Sequence, residues 1–167
     1  MQYLGFLLLY LIVNQYQNEI DYEKLPGKHL SHDEVQVFLE HLDSEYELES
    51  NFYYSFYRFK NGVELQCTST DTLIGIVFSK GKLDKNVQLP YNIQTSDLLK
   101  DIELKIGKPD KFCTYSSRSK AYYFSKNLTV FYETSDYKDK NAAASAFIVE
   151  KDLDKVAFNP YSCISCK

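Results

Sequence analysis

The sequence predicts an α+β fold, in which an antiparallel sheet carries helices on one face and is built from two tandem helix–strand–strand–strand units. Two short segments with the periodicity of amphipathic helices are each followed by several strand-like runs. The 167 residues include 15 Tyr and 11 Phe, and both residue types favour strands. A single apolar stripe on each helix is best buried against one face of an antiparallel sheet.

The order of segments predicts one compact domain. Hydrophobic residues make up 44% and charged residues 25% of the chain, which is an ordinary globular composition. A chain of this length can bury a substantial core. The predicted segments are an N-terminal apolar helix at 1–24, a first helix-plus-sheet unit at 25–88, a second helix-plus-sheet unit at 89–151, and a C-terminal tail at 152–167.

The N-terminal segment contains a nearly unbroken apolar run from Leu4 to Val13. We interpret this run as a buried helix, because no Lys or Arg precedes it and no small-x-small cleavage site follows it. The alternative is a targeting segment at residues 1–17, since the run has the length of a signal-peptide core. The run is too short to cross a bilayer, so no stable membrane span is predicted.

The first unit begins with a predicted helix that ends near Leu42. Ser31 and Glu34 have the spacing of a capping box, in which each side chain accepts a backbone N–H at the helix start. Asp43–Ser50 is acidic and predicts a loop, and Asn61-Gly62 is a strong hairpin signal. The apolar stripe of the helix is Val35, Phe38, Leu39 and Leu42, and the predicted strands are Phe52–Phe59, Val63–Cys67 and Leu73–Phe78.

The second unit begins with a predicted helix at Ser96–Ile106. Thr95 or Ser96 supplies its cap, and Gly107 followed by Pro109 ends it. Its apolar stripe is Leu98, Leu99, Ile102 and Ile106, and the predicted strands are Phe112–Tyr115, Lys120–Phe124, Leu128–Glu133 and Ser145–Glu150.

The two units also match each other locally. FKNGVELQ of the first unit aligns with FSKNLTVF of the second, which places Val63 on Leu128 and Leu65 on Val130. This weak but ordered match predicts a repeated helix-plus-hairpins unit. Runs that are apolar on both faces are typical of central strands. There are two such runs, Leu73–Phe78 and Phe147–Val149.

Charge and cysteine usage restrict the class of partner and compartment. The net charge is −4 and the pI is near 5.4, which argues against binding to nucleic acid or anionic membranes and is compatible with a basic protein partner. The four cysteines lack the spacing of a disulfide framework, which fits a reducing compartment better than a stapled secreted fold.

No constellation in the sequence identifies an enzyme, a cofactor or a metal. Phosphate-binding glycine loops, zinc-protease motifs and nucleophile elbows are missing. His29, His32 and His41 are close together but lack metal-ligand spacing, so surface or capping roles are favoured. Cys163 and Cys166 form a C-x-x-C pair without the helix that a redox pair needs, although a thiol-redox protein is kept as an alternative.

The acidic stretch after the first predicted helix is the best candidate for a functional surface. In its alternating segment, Glu45, Glu47 and Glu49 can present three carboxylates on one side of an extended chain. Such a surface would meet a cationic groove and accelerate association with it. An acidic loop that only maintains solubility is the alternative interpretation.

Four blocks carry a resemblance to a known family. They are LPGKHLSHDEVQVFLEHL, YSFYRFKNGVELQC, LIGIVFSKG and LPYNIQTSDLLKDIELKIGKPDK. Over about Leu25 to Glu150 the sequence resembles small bacterial immunity proteins that accompany polymorphic or contact-dependent toxins, including those of type VI secretion. The tandem helix-plus-sheet order is also similar to β-lactamase inhibitor protein. The N-terminal apolar run and the CISCK tail depart from this pattern, and no lipobox cysteine is present.

The resemblance implies a non-enzymatic binder that docks a cognate toxin effector domain, such as a basic nuclease-like enzyme, and blocks its active site. It implies a cytoplasmic protein without cofactors. The alternative is a periplasmic or envelope-associated inhibitor or adaptor that residues 1–17 direct out of the cytoplasm. The residues assigned to toxin contact are Asp43, Glu45, Tyr46, Glu47, Glu49 and Tyr53.

Overall fold

A computed structural model describes residues 20–42, 44–151 and 165–166. It confirms the α+β class, with two α-helices and an antiparallel sheet of eight strands to which a two-residue ninth strand is added. All strand pairings between these elements are antiparallel. The predicted N-terminal helix and most of the C-terminal tail lie outside the described residues.

The sheet follows the chain in two consecutive runs. Its order is β1-β2-β3-β4-β8-β7-β6-β5-β9, so that the runs β1–β4 and β5–β8 meet where β4 pairs with β8. This confirms the two predicted central strands. The bounds are β1 Tyr46–Ser50, β2 Tyr54–Phe59, β3 Val63–Thr68, β4 Leu73–Ser79, β5 Lys111–Tyr115, β6 Arg118–Tyr123, β7 Leu128–Tyr132, β8 Ala144–Glu150 and β9 Ser165–Cys166.

Helix α1 spans Asp33–Leu42 and buries Val35, Phe38 and Leu42, as its apolar periodicity predicts. The predicted capping box does not form. The N–H of Glu34 points to Nδ1 of His32 at 3.4 Å, while the carboxylate of Glu34 pairs with Nζ of Lys28 at 2.6 Å.

Helix α2 spans Leu99–Ile106 and therefore begins three residues later than predicted. The carboxylate of Asp101 accepts the N–H of Leu98 at 3.0 Å and thereby satisfies a donor at the helix start. Gly107 ends the helix with φ of +91°, as the sequence predicts. No helix within the described ranges is long and apolar enough to cross a membrane.

One hydrophobic core joins the helices to the sheet. Alternate residues of β3 are buried, and the corresponding positions of β7 are buried as well. Both helices contribute side chains to the same cluster. Placement of the helices on one face and a tandem origin of the two runs stay predictions. The buried strand positions include Val63, Leu65, Leu128 and Val130.

Strand β1 corrects the prediction of a loop at Asp43–Ser50. All five of its residues are exposed, so it lacks the buried apolar positions by which a strand is recognised in a sequence. Its order comes from pairing with β2 over the full length from Tyr46 to Ser50. Tertiary pairing thus overrides the polar composition of this segment.

Candidate protein-binding site

Strand β1 forms an open edge of the sheet. In the described part of the chain it pairs with β2 on one side and has no strand on the other. Each of its five side chains is exposed. Edge strands present unpaired backbone donors and acceptors, and proteins commonly cover or shorten them. Here a five-residue edge is left open.

Two backbone hydrogen bonds fix the phase of the β1–β2 ladder. The N–H of Lys60 donates to the carbonyl oxygen of Glu45 at 3.0 Å, and the N–H of Asn51 donates to that of Tyr54 at 2.9 Å. Hydrogen-bonded and non-hydrogen-bonded pairs alternate along an antiparallel ladder. The positions of β1 between these two bonds therefore alternate between hydrogen-bonded and non-hydrogen-bonded pairs.

The same phase identifies which backbone groups reach the open edge. Glu47 and Glu49 occupy hydrogen-bonded positions, so their N–H and C=O groups point to β2. Tyr46, Leu48 and Ser50 occupy the alternate positions, and their N–H and C=O groups point away from β2. The edge therefore offers three donor–acceptor pairs at regular spacing.

Side chains of β1 divide between the two faces of the sheet. Tyr46 and Leu48 lie on the face that carries the core, yet they are 54% and 55% exposed. The ring of Tyr46 packs at 5.4 Å from the rings of both Tyr57 and Phe59. This contact extends the core outward as an accessible apolar strip.

Glu47 and Glu49 lie on the opposite face, beside Arg58 of β2. The Arg58 guanidinium pairs with Glu49 and, at 2.8 Å, with Glu64. Hydrogen bonds to Glu64 and Glu49 raise the pKa of Arg58 above its usual value. Among the described residues, the carboxylate of Glu47 has no ion-pair partner within 4.0 Å, so this acid is available to a cation of a partner protein.

An aromatic patch, defined as Phe52, Tyr53, Tyr54 and Phe56, extends from the turn after β1 into the first residues of β2. Phe52 is 86% exposed and Tyr53 is 67% exposed. Consecutive ring centroids lie 5.1, 6.4 and 6.4 Å apart along the patch. Exposed aromatic rings of this kind provide large contact areas at a low cost in side-chain entropy.

The turn that presents the patch is fixed by Asn51. Its Oδ1 accepts the N–H of Tyr53 at 2.9 Å and the N–H of Tyr54 at 3.0 Å. Asn favours such turns because its side chain bonds the backbone two residues further on. The patch is therefore held in place before any partner binds, which reduces the ordering cost of association.

The structure brings five of the six predicted contact residues into one hairpin. They are Glu45, Tyr46, Glu47, Glu49 and Tyr53. The carboxylate of Glu45 pairs with Nζ of Lys60 at 2.5 Å, so part of the predicted acidity is neutralised within the hairpin. Asp43 lies outside the described residues.

Sequence reasoning missed Leu48, Phe52, Tyr54 and Phe56. The run FYYSFY was interpreted as a strand from Phe52, whereas β2 begins at Tyr54. A signal was present, because a run with so many consecutive aromatic residues places rings on both faces of a strand, and those on one face stay exposed unless both faces are covered.

One cavity has a volume of about 450 Å³ and is lined by residues between 83 and 96, of which Asp84 and Lys85 are charged. Over the described ranges, no group of three or more His, Cys, Asp or Glu could hold a metal ion. Nδ1 of His29 bonds the Ser31 hydroxyl, and Nδ1 of His41 bonds the Val37 carbonyl oxygen.

Two cysteines of the described residues differ in state. Cys67 is free and fully buried on β3, and burial raises the pKa of its thiol to about 12, so the thiol stays protonated near neutral pH. Cys113 on β5 is disulfide-bonded. The proposed redox role of Cys163 and Cys166 concerns side chains outside the described residues.

Comparison with known proteins gives no relative: no family model, no curated protein and no solved structure matches this chain.

Proposed function

We propose that this chain is an immunity protein that binds a cognate toxin effector and blocks its active site through the β1–β2 hairpin. The observation that carries the proposal is the preordered aromatic patch beside an open, acid-bearing edge. Monomeric proteins rarely expose contiguous apolar groups without an interaction to make. The sequence resemblance to toxin-associated immunity proteins supports the same assignment.

The chemistry of the hairpin favours a basic protein as its partner. The protein has a net charge of −4, and the edge carries Glu47 without a partner cation in the described part. Opposite potentials accelerate the encounter of two proteins and suppress wrong partners. Aromatic rings then supply the buried anchors that hold the complex. The proposal assigns no chemical step to this chain, which would act by covering the effector.

Co-expression tests the proposal directly. The candidate effector is the product of the neighbouring open reading frame, and the readout is growth together with binding of the two purified proteins. We expect the wild-type chain to rescue growth and the double variant Phe52→Ser/Tyr53→Ser to lose rescue. Since one aromatic anchor contributes about 2 kcal/mol, or about thirtyfold in affinity, loss of two anchors should lower the affinity by well over thirtyfold.

Leu104→Ser provides the matched control, because Leu104 is 85% exposed on α2 and lies outside the hairpin. This variant removes an exposed apolar side chain away from the hairpin and should keep full rescue. A neighbouring product that is not toxic, or that the wild-type chain neither binds nor neutralises, would contradict the proposal. Equal loss of rescue in both variants would instead place the contact elsewhere on the surface.

A second candidate function is a periplasmic or envelope-associated inhibitor. The disulfide at Cys113 favours it, because disulfides persist in oxidising compartments and are rare in the cytosol. Mass spectrometry of the native protein decides between the two compartments. An intact Met1 with reduced cysteines in the cytosolic fraction supports the immunity protein of the cytoplasm. A processed N terminus with an oxidised Cys113 supports the alternative.

A further inference from the structure

We infer that the partner docks by adding an extended strand of its own to the open edge of β1, and that this strand alternates cationic with apolar residues. The inference rests on the proposed function and specifies how the partner is recognised. It concerns the backbone of β1, whereas the aromatic patch is formed by side chains of the turn after β1 and of β2.

The backbone of β1 is suited to strand addition. Tyr46, Leu48 and Ser50 direct their N–H and C=O groups outward, and five consecutive exposed residues give an edge long enough for three such pairs. Strand addition uses these main-chain groups for affinity and alternate side chains for specificity. No proline interrupts the ladder within β1.

The other end of the sheet shows what a closed edge looks like in this protein. There β5 pairs with the two-residue β9, which places Ser165 opposite Thr114 and Cys166 opposite Cys113. A very short edge strand is one of the usual means of preventing further pairing. Among the described residues, β1 is by contrast a five-residue edge without such a short strand beside it.

A second copy of this chain is disfavoured as the occupant. If two β1 strands paired antiparallel with like faces aligned, the registers of greatest overlap, centred on Glu47, Leu48 or Glu49, would bring Glu47 or Glu49 of one copy opposite Glu47 or Glu49 of the other. Like charges directly opposite each other on a sheet are destabilising. The same positions attract lysine or arginine of a foreign strand, which gives that strand its cationic alternation.

The apolar alternation follows from the other face. The side chains of Tyr46 and Leu48 are about half exposed, and the backbone groups of the same two residues point outward from the edge. Residues of the added strand that point to this side would cover them and continue the contact of Tyr46 with Tyr57 and Phe59. An added residue opposite Tyr46 or Leu48 thus meets an apolar side chain, and one opposite Glu47 or Glu49 meets a carboxylate.

The test uses a blocked seven-residue peptide that alternates lysine and valine, titrated into the full-length protein and followed by the amide resonances of β1. We expect slowed hydrogen exchange at the N–H groups of Tyr46, Leu48 and Ser50. The same peptide methylated on every backbone nitrogen should lose binding, and so should a peptide in which glutamate replaces lysine. Unchanged binding of the methylated peptide would overturn the inference.

A pair of variants at one position separates the backbone from the side chain. The N–H of Leu48 points outward, so Leu48→Pro removes an edge donor without removing a β1–β2 bond, and Leu48→Ala keeps the donor. We expect Leu48→Pro to weaken peptide binding about tenfold or more relative to Leu48→Ala. Equal affinity of the two variants would contradict strand addition. If the proline variant does not fold, binding of the methylated peptide to the wild-type chain still tests strand addition.

The effector distinguishes failure of this inference from failure of the proposed function. If Leu48→Pro neutralises the effector as well as Leu48→Ala does, while Phe52→Ser/Tyr53→Ser does not, strand addition is wrong and the immunity function stands. If the wild-type chain does not bind the effector but binds the lysine–valine peptide at β1, the function is wrong and the edge still takes a cationic strand.

Discussion

Glu150 is a half-buried carboxylate at the end of β8, and its protonation links stability to pH. Burial raises the pKa of Glu150 above its usual value, partly offset by the Thr129 hydroxyl, which donates to it at 3.2 Å, and by the charge of Lys120. The folded chain therefore holds this proton to a higher pH than the unfolded chain does. As pH rises from the ordinary carboxyl range through the raised pKa, the free energy of unfolding falls.

Replacing Glu150 with Gln should remove this pH-dependent loss of stability. Gln keeps an oxygen that accepts the Thr129 hydroxyl but carries no charge to desolvate. We expect Glu150→Gln to unfold at a higher urea concentration than the wild type at pH 7, with a difference that shrinks as the pH is lowered to about 4. Glu133→Gln, at an exposed position, is the control and should show no such trend. A gain in stability that is equal at both pH values would contradict the burial argument.

Among the structural elements, the β2–β3 turn depends most strictly on one residue. Gly62 has φ of +88°, and a Cβ built there would lie 2.5 Å from the backbone carbonyl carbon and oxygen of Lys82. Asn61, its neighbour in the turn, donates from its side chain to the carbonyl oxygen of Leu42 at 2.9 Å. The turn is therefore fixed between the end of α1 and the segment that follows β4.

Gly62→Ala should destabilise the fold by at least about 2 kcal/mol, since a positive φ and a backbone clash both act against any side chain. Gly81→Ala is the matched control, because nothing lies within 4 Å of a Cβ at that exposed position. We expect urea denaturation to give a clearly lower midpoint for the first variant and a nearly unchanged midpoint for the second. Similar midpoints for both would show that the Lys82 backbone yields easily.

Most of the sheet could be predicted because the sequences of its strands show apolar alternation and are bounded by turn residues. Val63 and Leu65 alternate with polar residues, and Asn61-Gly62 marks the turn before them, so β3 was predicted to within one residue. β1 was missed because its order comes from pairing with β2 and not from a buried stripe. Local propensity contains no information about a strand that is exposed on both faces.

Helix starts were predicted less well than helix ends, for a chemical reason. Gly107 ends α2 through its own backbone freedom, which the sequence shows directly. The start of α2 instead depends on which acid reaches which N–H, and Asp97 bonds Gln94 and Lys105 while Asp101 caps Leu98. Several polar residues could fill that role equally well, and tertiary contacts decide among them.

Within the candidate site, the acids and two tyrosines were predicted and the geometry was not. The alternation of Glu47 and Glu49 is visible in the sequence and is preserved in β1. The neutralisation of Glu49 by Arg58 and of Glu45 by Lys60 depends on the register of β1 against β2. Register is a tertiary property that the segment alone does not specify.

At the scale of the whole molecule, the two edges of the sheet are secured differently. Cys113 lies on β5, next to β9, and is disulfide-bonded. A disulfide restricts the unfolded chain and thereby stabilises the folded one. The β1 edge has no comparable restraint among the described residues.

Cys113→Ala should lower the free energy of unfolding by about 2–4 kcal/mol under oxidising conditions, the usual contribution of a native disulfide. With a strong reductant present, the wild type should fall to the level of the variant. Urea midpoints with and without reductant measure both effects. Cys67→Ala retains the disulfide and should keep the full response to reductant. A wild type that does not respond would show that the cross-link contributes nothing to stability.

The position of β1 also has a consequence for how the protein can diverge. Because all five of its side chains are exposed and it pairs with one neighbour, substitutions there leave the core contacts of β3, β4, β7 and β8 untouched. Changes that would unfold a central strand are tolerated on this one. The binding specificity of β1 can thus change between related proteins while the core of the sheet stays the same.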